Sequence, residues 1–462
     1  MSIVQVNVST VSAPVPSGQQ KLGALISQGA TTTAANAKTL LSAVGDLTAL
    51  LKGALPLTSI TWLASVATAT TTAPHGFVTS DTLTLTIAGA TPSTYNGTFL
   101  CTVTGASTFT YPLVSNPGGA TSVPGTYTPE DVSELVAMNT TFFAQGSQQG
   151  VWVLELGAGN AADGVTALSA YITTNTINGL GPFYSYLVPR PWASEPTFVS
   201  LVATFETAIS RTYFYTTVTN GNYASFTNAM KSVKSLVEAP GIPATEFSIG
   251  AWMQNELSRS PSSTSRVPPA AYTFLFGVTP YPQAGNAALL ATYAAANVNV
   301  VGTGAEGGIS DDILLYGTTE DGKDSTYWYS VDWVTINADL AISNAVINGS
   351  NNTSNPLYYN QDGINRLQAV VASTMGAGVA NGLVLGQVIQ TQLDQTTFIT
   401  NLENGLYDGL TVVNAVPFLS YVRVNPNDFP AGLYGGITSA YVPNRGFLHI
   451  IYNVVVANFP TT

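Results

Sequence analysis

A chain of 462 residues exceeds what one hydrophobic core usually supports, so two or three domains are expected. Only 8% of its residues are charged, the net charge is −12 and the mean hydropathy is +0.23, against roughly 25% charged in an ordinary soluble protein. No stretch approaches the roughly 20 apolar residues that span a bilayer, and 13 Lys plus Arg scattered from Lys21 to Arg445 build no phosphate-tracking stripe. Membrane insertion and nucleic-acid binding are therefore disfavoured, and a surface this poor in charge points to burial against copies of the same chain.

Residues 2–9 alternate, with Val4, Val6 and Val8 on one face, before Pro14, Pro16 and Gly18 end the run. This predicts a strand with no hairpin partner. Over 34–54 the spacing of Leu40, Leu41, Val44, Leu47 and Leu51 predicts a helix that Pro56 stops. From Leu57 to Tyr127 Thr dominates, Gly and Pro punctuate short β-type runs and Asp81 is the single charge, which predicts a compact all-β insert. Thr128-Pro129-Glu130-Asp131 reads as a helix start with a Thr cap and acids in the first turn. Strands are then expected at 151–156, 183–188, 212–218, 247–251, 272–276 and 298–301, with helical patterns between several of them, implying an α/β layer. Helices are expected at about 328–347 and 362–376. A long strand over 447–459 carries Leu448, Ile450, Tyr452, Val454 and Val456 on one face.

Catalytic constellations are thin. Gly302, Gly304 and Gly307 match the dinucleotide G-x-G-x-x-G spacing, but ISDDILLYGTT downstream reads as extended, where the fingerprint needs a helix N-terminus facing the pyrophosphate. The loop is read as a glycine turn and no cofactor is expected. No G-x-S-x-G elbow is present, and Ser147 between Gly146 and Gly150 stands at the wrong position for one. His75, His449 and Cys101 make a poor metal inventory, and one cysteine permits no internal disulfide. The pairs Asp311/Asp312 and Glu320/Asp321 read as solvated turn residues. What remains is the pair of terminal strands, whose donors and acceptors must find an edge somewhere. Donated to a neighbour's sheet, about 8 residues would make about 4 to 6 backbone bonds worth about 1 kcal/mol each. In the other reading, both strands close the chain's own sheet.

Three stretches carry a family resemblance: FLFGVTPYPQAGNAALLATYAAANVNVVGTG (274–304), DDILLYGTTEDGKDSTYWYSVDWVTINADL (311–340) and PLYYNQDGINRLQAVV (356–371). With their G-T-T-x-D-G turn, the Asp332-Trp333 helix and the helix entry at Tyr359, Gly363 and Ile364, residues 129–462 resemble contractile-tail sheath proteins of phages. Separately, APHGFVTSDTLTLTIAGATPSTYNGTFLCTV (73–103) looks like a small β module inserted in many phage structural proteins, with His75 and the Asn96-Gly97 turn at its recurring positions. In such proteins that module is usually decoration, with carbohydrate binding possible.

The resemblance implies a mixed α/β (α+β) multi-domain fold: an arm at 1–25, an α/β core at 26–56 and 129–300, an inserted all-β domain at 57–128, a C-terminal sheath region at 301–446 facing the tube, and an arm strand at 447–462. It implies a non-enzymatic homo-oligomer, a helical stack of rings around a tail tube protein that also meets baseplate and tail terminator proteins. The arms, through Val4, Val6, Val8, Leu448, Ile450, Tyr452, Val454 and Val456, would link subunits. The N-terminus has no basic or signal-type apolar block, so assembly in the host bacterial cytoplasm and residence in the virion tail are expected. A tail tube or baseplate protein, a glycan-binding adhesin and a Rossmann-type enzyme are the competing readings.

Overall fold

The computed structural model describes residues 18–146, 148–157, 159–177, 181–207, 210–226, 230–282, 286–303 and 311–447. They form two compact units, a larger one containing Gln19–Arg259 and Pro269–Ser325, and a smaller one containing Ser260–Pro268 and Thr326–Arg445.

The larger unit begins with strands β1 (Gly23–Ser27) and β2 (Lys38–Leu41). Next come β3 (Leu55–Leu63), β4 (Val66–Thr71), β5 (Thr82–Ala88), β6 (Gly97–Gly105), β7 (Thr108–Pro112) and β8 (Thr126–Pro129), which close into a barrel in the order β3-β4-β7-β6-β5-β8. Period-two alternation sends Ala67, Ala69, Leu85, Ile87, Cys101, Phe109, Tyr111 and Tyr127 inward, and the Thr residues between them face out or stand at intermediate depth. Leu55 pairs with Tyr127, so the chain enters and leaves the barrel side by side. At the turn before β8, Gly125 has φ +76°, and a Cβ there would run into the Ala88 carbonyl.

The chain leaves the barrel directly into α1 (Glu130–Phe143). Pro129 stands at the cap position and makes no side-chain bond, so the start lies one residue later than the Thr cap predicts. There follow β9 (Val151–Glu155), α2 (Ala161–Asn175), β10 (Ser185–Leu187), α3 (Pro196–Ala203), β11 (Tyr213–Val218), β12 (Val233–Val237), α4 (Ser248–Leu257), α5 (Ala287–Ala295), β13 (Asn299–Thr303) and β14 (Asp312–Leu315). The eight-stranded sheet runs β14-β13-β12-β11-β10-β1-β9-β2. Its six inner strands are parallel, and β2 and β14 are antiparallel at the edges. β1, β10, β11 and β12 are buried along their whole length, as a parallel sheet covered on both faces requires. Trp192, Phe198, Phe214, Tyr186 and Phe226 pack one of the covering layers.

Three local expectations are corrected. No helix spans 34–54: residues 38–41 pair with β9, a single 3-10 turn covers Val44–Ala49, and Leu40 and Val44 are half exposed. Pairing with a distant strand overrides the local period. Residues 247–251 are not a strand but the cap and first turn of α4, where Ile249, Ala251, Trp252, Met253 and Leu257 are buried around the helix. Residues 272–276 make one bridge, Phe274 to Ile313, because Tyr272 at φ +64° breaks the extended backbone.

The smaller unit contains α6 (Ser325–Ser350) from Thr326 onward and α7 (Gln361–Ala380), each longer than the helical patterns at 328–347 and 362–376. They are followed by β15 (Val384–Leu385), β16 (Gln387–Thr391), α8 (Gln395–Glu403), β17 (Leu410–Ala415), α9 (Phe418–Val424), β18 (Ile437–Ala440) and β19 (Val442–Pro443). β16, α8 and β17 form a parallel crossover, and β18 returns antiparallel to β17. Buried Gln368 of α7 donates to the Thr391 and Val413 carbonyls at 2.7 and 2.9 Å, fastening the helix to the sheet.

Candidate assembly site

In the sheet β16-β17-β18, residues 411–415 of the central strand are buried, whereas both outer strands stand half open. Among the described residues neither β16 nor β18 has a further strand partner. Such an edge presents a row of backbone donors and acceptors ready for a donated strand. Tyrosines hold the return to β18 in place. Tyr359 Oη donates to the Leu433 carbonyl at 2.6 Å, Tyr434 Oη to the Val416 carbonyl at 2.6 Å, and Tyr421 Oη to Asp428 at 2.7 Å while accepting from the Gly435 amide at 2.8 Å. The hydrogen bond to Asp428 and burial raise the Tyr421 pKa, so the phenol stays a donor. Around this sheet Leu385, Leu406, Leu419, Val424, Leu433 and Val442 are half exposed or more.

The arm residues Val4, Val6, Val8, Leu448, Ile450, Tyr452, Val454 and Val456 all lie outside the described residues. So do Ser147, His449, Gly304 and Gly307. Gly302 lies in β13, and the next described element is β14, antiparallel to it, where the dinucleotide fingerprint needs a helix. His75 is buried and stacked on Phe77, with ring centroids 4.9 Å apart. Its Nδ1 accepts from the Phe77 amide two residues on, which ties it into its own local loop, and burial lowers its pKa. Burial pushes the Cys101 thiol up to about 12, leaving it unreactive. Among the described residues no His, Cys, Asp and Glu group is arranged to hold a metal ion, and no helix is long and apolar enough to cross a membrane.

Sequence reasoning missed the buried charges. Glu320, read as a solvated turn acid, is fully buried and hydrogen-bonded to Ser235, while Asp321 caps its own turn through Thr319. Lys234, in the middle of β12, meets Glu256 of α4, which also accepts from Tyr215 Oη at 2.6 Å, Trp252 Nε1 at 2.9 Å and Ser325 Oγ at 2.6 Å. Against burial, which would raise it, the Lys234 and Arg259 charges hold Glu256 down to about 2. Arg190 bridges Glu134 and Glu238 at 2.6 Å each. Glu155, at the end of β9, accepts from Ser27 Oγ, Thr31 Oγ1 and the amides of Gly29, Thr31 and Gly157 at 2.6–3.1 Å. Lys234, Glu256, Arg190 and Glu155 are held by these partners and brace the body, whereas Glu320 keeps one carboxyl oxygen without a partner among the described residues.

No family model matches the sequence, and no curated protein is similar to it at the sequence level. By structure the chain is similar to a chain in the baseplate of the anti-feeding prophage (AFP), at 13% identity and TM-score 0.53 over 99% of each chain. It is also similar to the AFP helical sheath in its contracted state, at 12% identity and TM-score 0.52 over 98% of this chain and 99% of that one. A sheath tail protein from Listeria innocua matches 80% of this chain and 87% of its own at 11% identity and TM-score 0.41, below the level that carries a fold assignment. These two likenesses show that the chain shares the fold of a chain in the AFP helical sheath and of one in the AFP baseplate.

Proposed function

We propose that the chain is the structural subunit of a contractile tail sheath: it polymerises as stacked rings around a tail tube and contracts to drive the tube through a host envelope. The observation that carries this reading is the fold shared with the AFP contracted sheath over 98% of this chain. The open edges of β16 and β18 support it, because they offer backbone pairing to arms donated by neighbouring copies. Residues 1–25 and 447–462 would be those arms, 57–128 a decoration, 26–56 and 129–300 the α/β core, and 301–446 the region facing the tube. Val4, Val6 and Val8 on one arm, and Leu448, Ile450, Tyr452, Val454 and Val456 on the other, would cover the apolar side of the accepting sheet. The partners are copies of the chain, the tail tube protein, and baseplate and terminator proteins. The chain acts without catalysis, drawing its work from the free-energy difference between two lattices, and its place is the virion tail after assembly in the host cytoplasm.

The test is deletion of residues 1–12 or 447–462, followed by circular dichroism and negative-stain microscopy. Folded protein that no longer forms tubes is the expected result. An unfolded subunit would place the strands in its own sheet, and tubes like those of the intact chain from both deletions would reject arm exchange.

A further inference from the structure

The smaller unit holds a cleft of about 370 Å³ between α6 and α7. Local sequence makes it. Gly349, in the last turn of α6, leaves room for the following loop to fold back, since a Cβ there would stand 2.5 Å from the Leu357 Cβ. The Leu357 amide donates to the Gly349 carbonyl at 3.1 Å, so the loop packs onto α6 and Leu357 joins the lining. Ala341 and Ala345 of α6 and Leu367 and Val370 of α7 complete an apolar floor. Asn344 and Asn348, one turn apart on α6, and exposed Ser373 of α7 add polar groups, and none of these three side chains has a hydrogen-bond partner among the described residues.

The charge of the cleft defines the guest. Arg366 of α7 is the one Lys or Arg in the lining, in a chain with 25 Asp plus Glu against 13 Lys plus Arg. Asp362 stands four residues before it, a spacing at which helical ion pairs form, yet no carboxylate pairs with this guanidinium among the described residues. Instead Nη1 donates to Asn355 Oδ1 at 3.1 Å and to the Pro356 carbonyl at 3.0 Å, and Nη2 donates to the Asn355 carbonyl at 3.3 Å. The loop thus holds the head group in place without neutralising it. Nε–H has no acceptor among the described residues, and Nη2 carries a second hydrogen. The side-on fork of the guanidinium is therefore left for the two oxygens of an anion. A cation already held at an apolar cleft costs a ligand little further ordering. One guanidinium with no second cation in the lining matches one negative charge, which selects a carboxylate over a phosphate dianion. The volume falls within the roughly 300–1,000 Å³ of small-molecule sites, which makes the guest a free small molecule.

We propose that this cleft binds a small carboxylic acid with an apolar body, its carboxylate on the Nε–Nη2 fork of Arg366 and its body over Ala345, Leu367 and Val370.

The experiment is ligand-observed NMR titration of the soluble full chain with 4-phenylbutyrate and with its neutral isostere 4-phenylbutyramide. The acid should bind about tenfold or more tighter than the amide, because only the acid makes the charge-assisted pair of bonds. Arg366→Gln should bring the acid down to the level of the amide, and Arg366→Lys, which keeps the charge and loses the fork, should weaken the acid several-fold. Arg366 also pins the loop, so a second variant leaves it in place: Ser373→Trp, at an exposed position on the rim, should fill the cleft and abolish binding of both compounds. Circular dichroism identifies any variant that fails to fold, and the folded ones decide. No binding of the acid, equal binding of acid and amide, or a folded Ser373→Trp chain that binds like the unmodified one would overturn the proposal. The assay uses the soluble subunit, so a chain that forms no tubes counts against the sheath reading and leaves this result standing.

Discussion

Glu320 offers a quantitative test of the buried-charge design. Its side chain is fully buried, one carboxyl oxygen bonds Ser235, and the other has no partner among the described residues. Its amide donates to the Val233 carbonyl at 3.0 Å, and its own carbonyl accepts from Asn297 at 3.0 Å, so the residue cannot swing out to water without breaking the turn. Burial lifts its pKa from 4.5 to about 8, with Ser235 opposing. The folded chain therefore keeps a proton that the unfolded chain releases above 4.5. Stability from this group is full below that value and falls as pH rises towards 8, by about 1.4 kcal/mol per unit and on the order of 3–5 kcal/mol across the window. Glu320→Gln removes the titration, at a cost of about 1–3 kcal/mol for a buried amide N–H with no acceptor. In urea unfolding of the soluble subunit, the variant is expected to be the less stable at pH 5 and to become the more stable by pH 8.5. A stability difference that stays constant between those values would refute the burial argument.

Replacing Glu256 by Ala leaves the Lys234 ammonium buried without its carboxylate and should cost about 3–5 kcal/mol, read as a shift of the urea midpoint, while Glu256→Leu with Lys234→Met should recover much of it. Exchanging residues 57–128 for a short Gly-Ser linker should leave the remaining body folded and tubes visible, since Leu55 and Tyr127 are paired neighbours that a linker can span; loss of tubes from a folded body would place lattice contacts on the barrel. Saturating NAD or ATP should leave the melting temperature unchanged, because a strand, not a helix, is the next described element after Gly302; a rise of several degrees would overturn that reading.

What could be read from the sequence was what depends on local pattern. The apolar runs behind β9 and β11, and the long helical periods behind α6 and α7, are local patterns of the chain. β12 was not legible, because a strand reading Val-Lys-Ser-Leu-Val puts a lysine in its middle. It is buried because Glu256 stands 22 residues away on α4, and sequence cannot announce that pairing. The same holds for Glu155, whose donors lie more than 120 residues upstream at Ser27 and Thr31. Of the candidate assembly site, the sequence offered apolar alternation at the two chain ends, whose arm residues lie outside the described residues, but gave no sign of the acceptor edges. Whether β16 and β18 stand at an edge is a property of strand order, and residues with ordinary strand chemistry carry no mark of it.

The charge economy of the chain connects these parts. Glu134, Glu155, Lys234, Glu238, Glu256 and Glu320 are all buried, so a protein with 38 charged residues places several of them inside. There they tie together segments far apart in sequence: Ser27 to Glu155, Arg190 to Glu134 and Glu238, and Lys234 and Ser325 to Glu256. With several charges placed inside, the outer surface is left largely to Thr, Ser, Asn, Gln and isolated apolar side chains. For the proposed polymer that surface has a physical advantage. Copies of a chain with net charge −12 repel over a screening length of about 8–10 Å, and the repulsion weakens where the facing groups are neutral. In the proposed arm-linked lattice, bodies with neutral faces could exchange one set of side contacts for another without a charge mismatch at each step. A contracting lattice needs that property, and a soluble enzyme does not.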